Sequence, residues 1–219
     1  MTAYPRVVPL GDSALLAVLG EGVDLELSTR AGRLAAALRK LATPGVQGVV
    51  PAYTAVAVHF DPLITDTEAL ARRMTELAAR ELAAAPLDVA SSGRLHVLPV
   101  RYDGPDLATV AGRLGLAPAE LARRHAERTY RVLFLGFVPG FGYLGPLDPG
   151  LALPRRDQPR RRVPAGSVAI AGEQTAVYPV ETPGGWHLIG RTETVLFDPA
   201  RDPPNLLAAG DRVRFEPVS

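Results

Sequence analysis

This sequence predicts an α+β domain followed by a mostly-β domain, and three observations carry that reading. The first 88 residues alternate short apolar strands with two Ala/Leu-rich amphipathic segments in the order ββαββα. The stretch 130–191 is then interrupted every few residues by Gly or Pro, which leaves room for short strands and sharp turns but for no long helix. Between them, residues 88–93 (DVASSG) form a polar run of small side chains suited to a linker. The expected domains are therefore 1–88 and 89–219.

In the first domain, Val7-Val8-Pro9-Leu10, a Gly11-Asp12-Ser13 turn and residues 14–19 read as strand, turn and strand. Leu27, Leu34, Leu38 and Leu41 share one side of a helix running from Asp24 to Leu41, and Pro44-Gly45 ends it. Residues 46–53 and 54–60 follow as strands, the second with Val56, Val58 and Phe60 on its buried face and Ala55, Ala57 and His59 opposite. Asp66 is the expected N-cap of a second helix with Leu70, Met74 and Leu77 in register, stopped by Pro86. This order is ferredoxin-like in outline.

The second domain opens with the strand RLHVLPVRY, 94–102, followed by two short helices at 105–114 and 118–128, each with Pro near its first turn. Beyond Thr129 the chain reads as β almost throughout. It ends on 211–216, where Val213 and Phe215 alternate with charged residues as in a strand with one wet face. Strands punctuated in this way fit a small barrel or sandwich whose loops carry function.

Composition excludes several classes. The absence of Cys removes disulfides, thiolate nucleophiles and Cys-ligated zinc, and fits a reducing cytoplasm. No leader-like N-terminal segment and no run of eighteen apolar residues occur, so neither export nor a membrane span is expected. Net charge is −2 for residues 1–88 (8 basic, 10 acidic) and +3 for 89–219 (16 basic, 13 acidic), which offers nucleic acid no basic face. Lys40 is the one Lys and is followed by Leu-Ala-Thr, so there is no phosphate-binding P-loop. The four His stand far apart without metal-ligand spacing, and Gly166-Ser167 lacks the second Gly of a nucleophile elbow.

The candidate residues cluster in the Gly/Pro-rich stretch. RRDQPRRR, 155–162, places five Arg in eight residues beside Pro154 and Pro159. It reads equally as a solvated loop or as a clamp in which Arg155, Arg160 and Arg162 hold carboxylate or phosphate. In VPAGSVAIAGEQTAVYP the small residues from Ala165 to Gly172 allow close approach of a ligand or of another backbone. Ser167, Glu173, Gln174 and Thr175 add polar groups beside a bend, the last two expected to face an opening. His187, between Gly184-Gly185-Trp186 and Leu188-Ile189-Gly190-Arg191, is the His best placed to act as acid, base or donor, though a structural role fits it as well. Phe137, Phe141, Tyr143 and Trp186 lie in segments too irregular to bury every ring; Phe141 would present well as an interface anchor, while core packing is the default for any single ring.

FLGFVPGFGYLG, PRRDQPRRRVPAGSVAIAGEQTAVYP, TPGGWHLIGRT and LFDP…GDRVRF, with GDSALL, PAYTAVAVHFDP and VRYDGPDLATVA before them, closely resemble the KipI/PxpB family, also described as allophanate hydrolase subunit 1. The resemblance covers nearly the whole chain. It implies a cyclophilin-like barrel for the second domain, without prolyl isomerase activity. It also implies the B component of an ATP-dependent 5-oxoprolinase that opens 5-oxoproline to glutamate. Such a component acts with a PxpA-like (LamB/YcsF) partner and a PxpC-like, carboxyltransferase-related partner. ATP is then a co-substrate of the complex, and no metal is expected in this chain. The same resemblance admits two alternatives, an inhibitor of a sensor histidine kinase and a part of a urea or other amide carboxylase. For the enzyme it implies that His187 is catalytic, and that Phe141, Tyr143, the Arg of 155–162, Ser167, Glu173, Gln174, Thr175 and Arg191 line a substrate or partner groove. Glu173 departs from the pattern, standing where a smaller or neutral residue is expected.

Overall fold

A computed structural model describes residues 4–22, 24–85 and 93–218. The chain divides into two compact units, Met1–Ser91 and Ser92–Ser219. Of the expected linker only Gly93 is among the described residues.

The first unit contains β1 (Arg6–Pro9), β2 (Ala14–Val18), α1 (Leu25–Lys40), β3 (Val46–Ala52), β4 (Ala55–Phe60) and α2 (Thr67–Ala83). Its sheet runs β1-β2-β4-β3, antiparallel throughout. Asp66 caps α2 as expected, accepting from Ala69 N, and Asp24 caps α1 in the same way, accepting from Leu27 N. Val56, Val58 and Phe60 alternate into a core with Leu15, Leu34, Leu38, Leu70 and Met74, while His59 points to solvent. Arg30 is buried in the same unit because its guanidinium caps the end of α2, donating to the carbonyls of Glu81 and Ala84.

The second unit contains β5 (Leu95–Val100), α3 (Leu107–Arg113), α4 (Pro118–Ala126), β6 (Thr129–Leu135), β7 (Gly142–Gly145), β8 (Arg160–Val163), β9 (Ser167–Ala171), β10 (Gln174–Val177), β11 (Thr182–Gly184), β12 (His187–Arg191) and β13 (Arg212–Pro217). Seven of these strands form one sheet in the order β12-β9-β10-β7-β6-β13-β5, and β8 and β11 form a separate ribbon. The β5–β13 pair is parallel; the other pairs are antiparallel. Beyond β5, Arg101 N donates to Arg191 O and Arg191 N to Arg101 O, at 2.9 and 2.8 Å, so the two ends of the sheet meet in a nearly closed barrel.

Every residue of β9 is buried, because the strand has a core on each side. Val168 and Ile170 point into the barrel with Leu98, Tyr130, Leu144, Ile189, Val213 and Phe215. Ala169 and Ala171, with Ala176 of β10, face outward under Phe141, Tyr178, Trp186 and Leu188. The small side chains on that face leave the depth that a layer of aromatic rings fills.

Candidate functional site

Six of the sequence-predicted residues, Phe141, Tyr143, Arg155, Ser167, His187 and Arg191, line three clefts on the second unit. The first is built on the outward aromatic layer. Phe141 packs edge-on against Tyr143, Tyr178 and Trp186 at centroid distances of 4.9, 5.3 and 5.7 Å, and Phe134 stacks on Tyr143 at 4.3 Å. These contacts bury Phe141 and Trp186, at 2% and 5% exposure, which is the default core packing rather than an exposed interface anchor at Phe141. Phe137 is the ring left in solvent, 59% exposed and packed edge-on to Phe141. Its backbone sits at φ 70°, in the left-handed region that a bulky residue seldom adopts. A two-residue step of hydrogen bonds holds it there: Val138 N donates to Gly136 O and Phe141 N to Val138 O. Phe137, Phe141, Tyr143, Tyr178 and Trp186, with Arg155, Pro159, Pro183, Gly184 and Gly185, line a cleft of about 220 Å³. Gly184 is required at its wall, since a Cβ there would stand 2.3 Å from Tyr178 Oη.

The second cleft, about 310 Å³, is polar and is lined by Asp106, Thr109, Arg113, Arg156, Asp157, Gln158 and His187. His187 is buried, with Nε2 2.9 Å from the Pro154 carbonyl, which can only accept; Nε2 therefore carries the proton and Nδ1 the lone pair in neutral imidazole. Asp106 heads α3 but makes no capping bond there. Its Oδ1 instead accepts from Arg156 Nη1 and Arg160 Nη2 at 3.1 and 2.7 Å, and its Oδ2 from Leu188 N at 2.7 Å. Burial alone would raise this carboxyl's pKa, but the Arg160 and Leu188 bonds and both guanidinium charges outweigh it and hold it below the usual range. Two Arg of the segment are therefore pinned from inside, Arg156 and Arg160 on Asp106, while Arg162 pairs with Glu181 at the surface. Arg155 makes no ion pair among the described residues.

The third groove, about 460 Å³, follows the seam of the barrel and brings Ser167 and Arg191 together with Asp103, Pro164 and Leu188. Ser167 Oγ donates to Pro164 O, and Arg191 is held by Asp103 at 2.8 Å. Gln174 and Thr175 lie elsewhere. Both are buried in β10, where Thr175 Oγ1 donates to Ala169 O and stands 2.8 Å from Nε2 of His125, a residue at 0% exposure. Glu173 is exposed in the two-residue turn between β9 and β10, beside Gly172 at φ 55°.

Sequence reasoning passed over Asp106, His125 and Tyr178. Asp106 had a visible signal, an N-cap carboxylate in the same domain as an Arg-rich segment; His125, midway along a short amphipathic helix, had none.

The sequence profile of the carboxyltransferase domain, subdomain C and D, matches residues 5–207. The chain belongs to that family. Relatives 37–43% identical to it are named as the B component of 5-oxoprolinase, which agrees with the KipI/PxpB resemblance carried by the motifs. The one from Escherichia coli O157:H7 is 43% identical over 215 residues, 97% of this chain and 95% of its own length. The crystal structure of TTHA0988 matches with a TM-score of 0.81 at 41% identity; the match covers 94% of this chain but 40% of that one. Kluyveromyces lactis urea amidolyase shares the fold at a TM-score of 0.79 and 23% identity, over 98% of this chain and 15% of its own. Among the described residues no helix is long and apolar enough to cross a membrane, and no group of three or more His, Asp or Glu could hold a metal ion.

Proposed function

We propose that the chain is the B component of an ATP-dependent 5-oxoprolinase that opens 5-oxo-L-proline to L-glutamate in the cytoplasm and is inactive without PxpA-like and PxpC-like partners. The observation that carries this reading is identity of 37–43% to proteins of that name over nearly the whole chain. A five-membered lactam resists water at neutral pH, and phosphorylation of its amide oxygen would create an imidate-like electrophile, which gives ATP its role. We place the nucleotide on a partner. Supporting that placement, the polar cleft already commits Arg156 to Asp106, and its other Arg, Arg113, shares the lining with a second carboxylate, Asp157. His187, with Nδ1 free to accept a proton, is our choice of catalytic base in a site that a partner completes. The domains we propose are a ferredoxin-like one, supported by β4 lying between β2 and β3 with α1 joining that pair, and a cyclophilin-like barrel.

The shared fold of urea amidolyase and the carboxyltransferase profile favour one second reading, a component of an amide carboxylase. Reconstitution separates them. Mixing the chain with its two partners should give 5-oxoproline-dependent release of ADP and glutamate that disappears when any component is omitted. Biotin-dependent carboxylation with no glutamate release would favour the carboxylase.

A further inference from the structure

The three clefts differ in one electrostatic respect. In the polar cleft Arg113 and Arg156 share the lining with two carboxylates, Asp106 and Asp157, and Arg156 is paired to Asp106. In the seam groove Arg191 is matched by Asp103. Arg155 is the one charged side chain lining the aromatic cleft; it is exposed and makes no ion pair among the described residues. An apolar recess with one unmatched cation at its rim suits a ligand with an apolar body and one negative charge. At about 220 Å³ the recess is smaller than the 300–1,000 Å³ typical of drug-sized ligands, so that body is a single small ring.

We propose that the aromatic cleft formed by Phe137, Phe141, Tyr143, Tyr178 and Trp186 seats the ring of a compact cyclic carboxylate, with Arg155 paired to the carboxylate. Resting on the function proposed above, that ligand is 5-oxoproline. The rings are held by one another rather than by the ligand, so the recess exists before binding and little ordering is needed when the ligand enters. Phe137, held outward at positive φ, forms the wall that closes over the ring's open face.

The chain carries its own probe, because Trp186 is its only Trp and lines the cleft. Titrating 5-oxo-L-proline into the full chain alone, without partners or ATP, should change Trp186 emission saturably. Cyclopentanecarboxylate should do the same, and pyrrolidin-2-one, which lacks the charge, should bind about tenfold or more weakly. Arg155→Gln and Phe137→Ala, both at exposed positions, should each weaken 5-oxoproline binding, the first by about tenfold or more. Arg214→Gln, an exposed Arg outside the cleft, should leave it unchanged. Absence of a saturable change with 5-oxoproline, or equal affinity in Arg155→Gln, overturns the proposal. A silent Trp186 alongside an active reconstituted complex would overturn this placement and leave the 5-oxoprolinase reading standing. Saturable binding of both ring carboxylates without any complex activity would support the cleft and count against that reading.

Discussion

His125 Nε2 and Thr175 Oγ1, fifty positions apart in sequence, stand 2.8 Å apart inside the barrel. Because the Thr175 hydroxyl gives its proton to Ala169 O, it accepts from His125; Nε2 is thus the protonated nitrogen and Nδ1 accepts from the Tyr102 hydroxyl, also at 2.8 Å. His125 further stacks on Phe215 at 4.7 Å, which joins α4 to β13. Replacing Thr175 with Val strands a buried imidazole N–H. We expect a loss of about 1–3 kcal/mol in urea unfolding, with Thr175→Ser restoring most of it. A Thr175→Val protein as stable as the parent would contradict this network.

Full burial lowers the pKa of His125 to about 3. In the unfolded chain an imidazole takes up its proton near pH 6.5, so the stability tied to neutral His125 is whole above about 6.5 and is lost as pH falls toward 3. The slope approaches about 1.4 kcal/mol per pH unit within that window. Proton NMR should show the His125 ring unchanged from pH 8 to 5; a midpoint in that range would refute the assignment.

Asp106 ties the 156–160 segment to β12, so Asp106→Asn should release Arg156 and Arg160 together. The expected loss is about 1.5–3 kcal/mol, that of a hydrogen bond to a charged group, read from the shift in urea midpoint at constant slope. Since the folded carboxyl lies below its usual range, its contribution is present above about pH 3.9 and disappears below it. An unshifted midpoint at pH 7 would show that the bonds to Asp106 add nothing.

Gly184 and Gly185 are neighbours with opposite tolerance. A Cβ on Gly184 would meet Tyr178 Oη at 2.3 Å, whereas one on Gly185 finds nothing nearer than Pro159 Cγ at 3.7 Å. Gly184→Ala should cost about 1–3 kcal/mol and shift Trp186 emission as the rings move. Gly185→Ala should do neither. Equal behaviour of the two variants would mean that Tyr178 is not fixed against that wall.

Legibility in the sequence followed the range of the interactions. The alternation of Val56, Val58 and Phe60 and the cap at Asp66 depend on residues within a turn or a strand, and they stand where local pattern put them. Gln174 and Thr175 were expected at an opening because polar groups beside a bend usually meet water. Thr175 is buried instead because its partner comes from α4, a pairing that no local pattern encodes. Phe141 and Trp186 went the same way: their burial depends on the small Ala residues of β9 and β10, brought beneath them by strand pairing. Arg156 and Arg160 could be read as a solvated loop or an anion clamp, but not as ligands of Asp106, which lies some fifty residues earlier.

β13 comes last in sequence among the unit's strands, yet it lies between β5, the first, and β6. During synthesis β5 therefore leaves the ribosome with its place in the sheet defined by a neighbour not yet made. Until β13 arrives, β5 lacks its strand partner, and the backbone hydrogen bonds next to it are those of the seam, where Arg101, Gly104 and Asp106 meet Leu188, Ile189 and Arg191. The barrel is thus completed by insertion of a final stave rather than by successive hairpins. Nascent chains stalled before residue 212 should be cut by protease in the 94–101 segment, and full-length chains should resist.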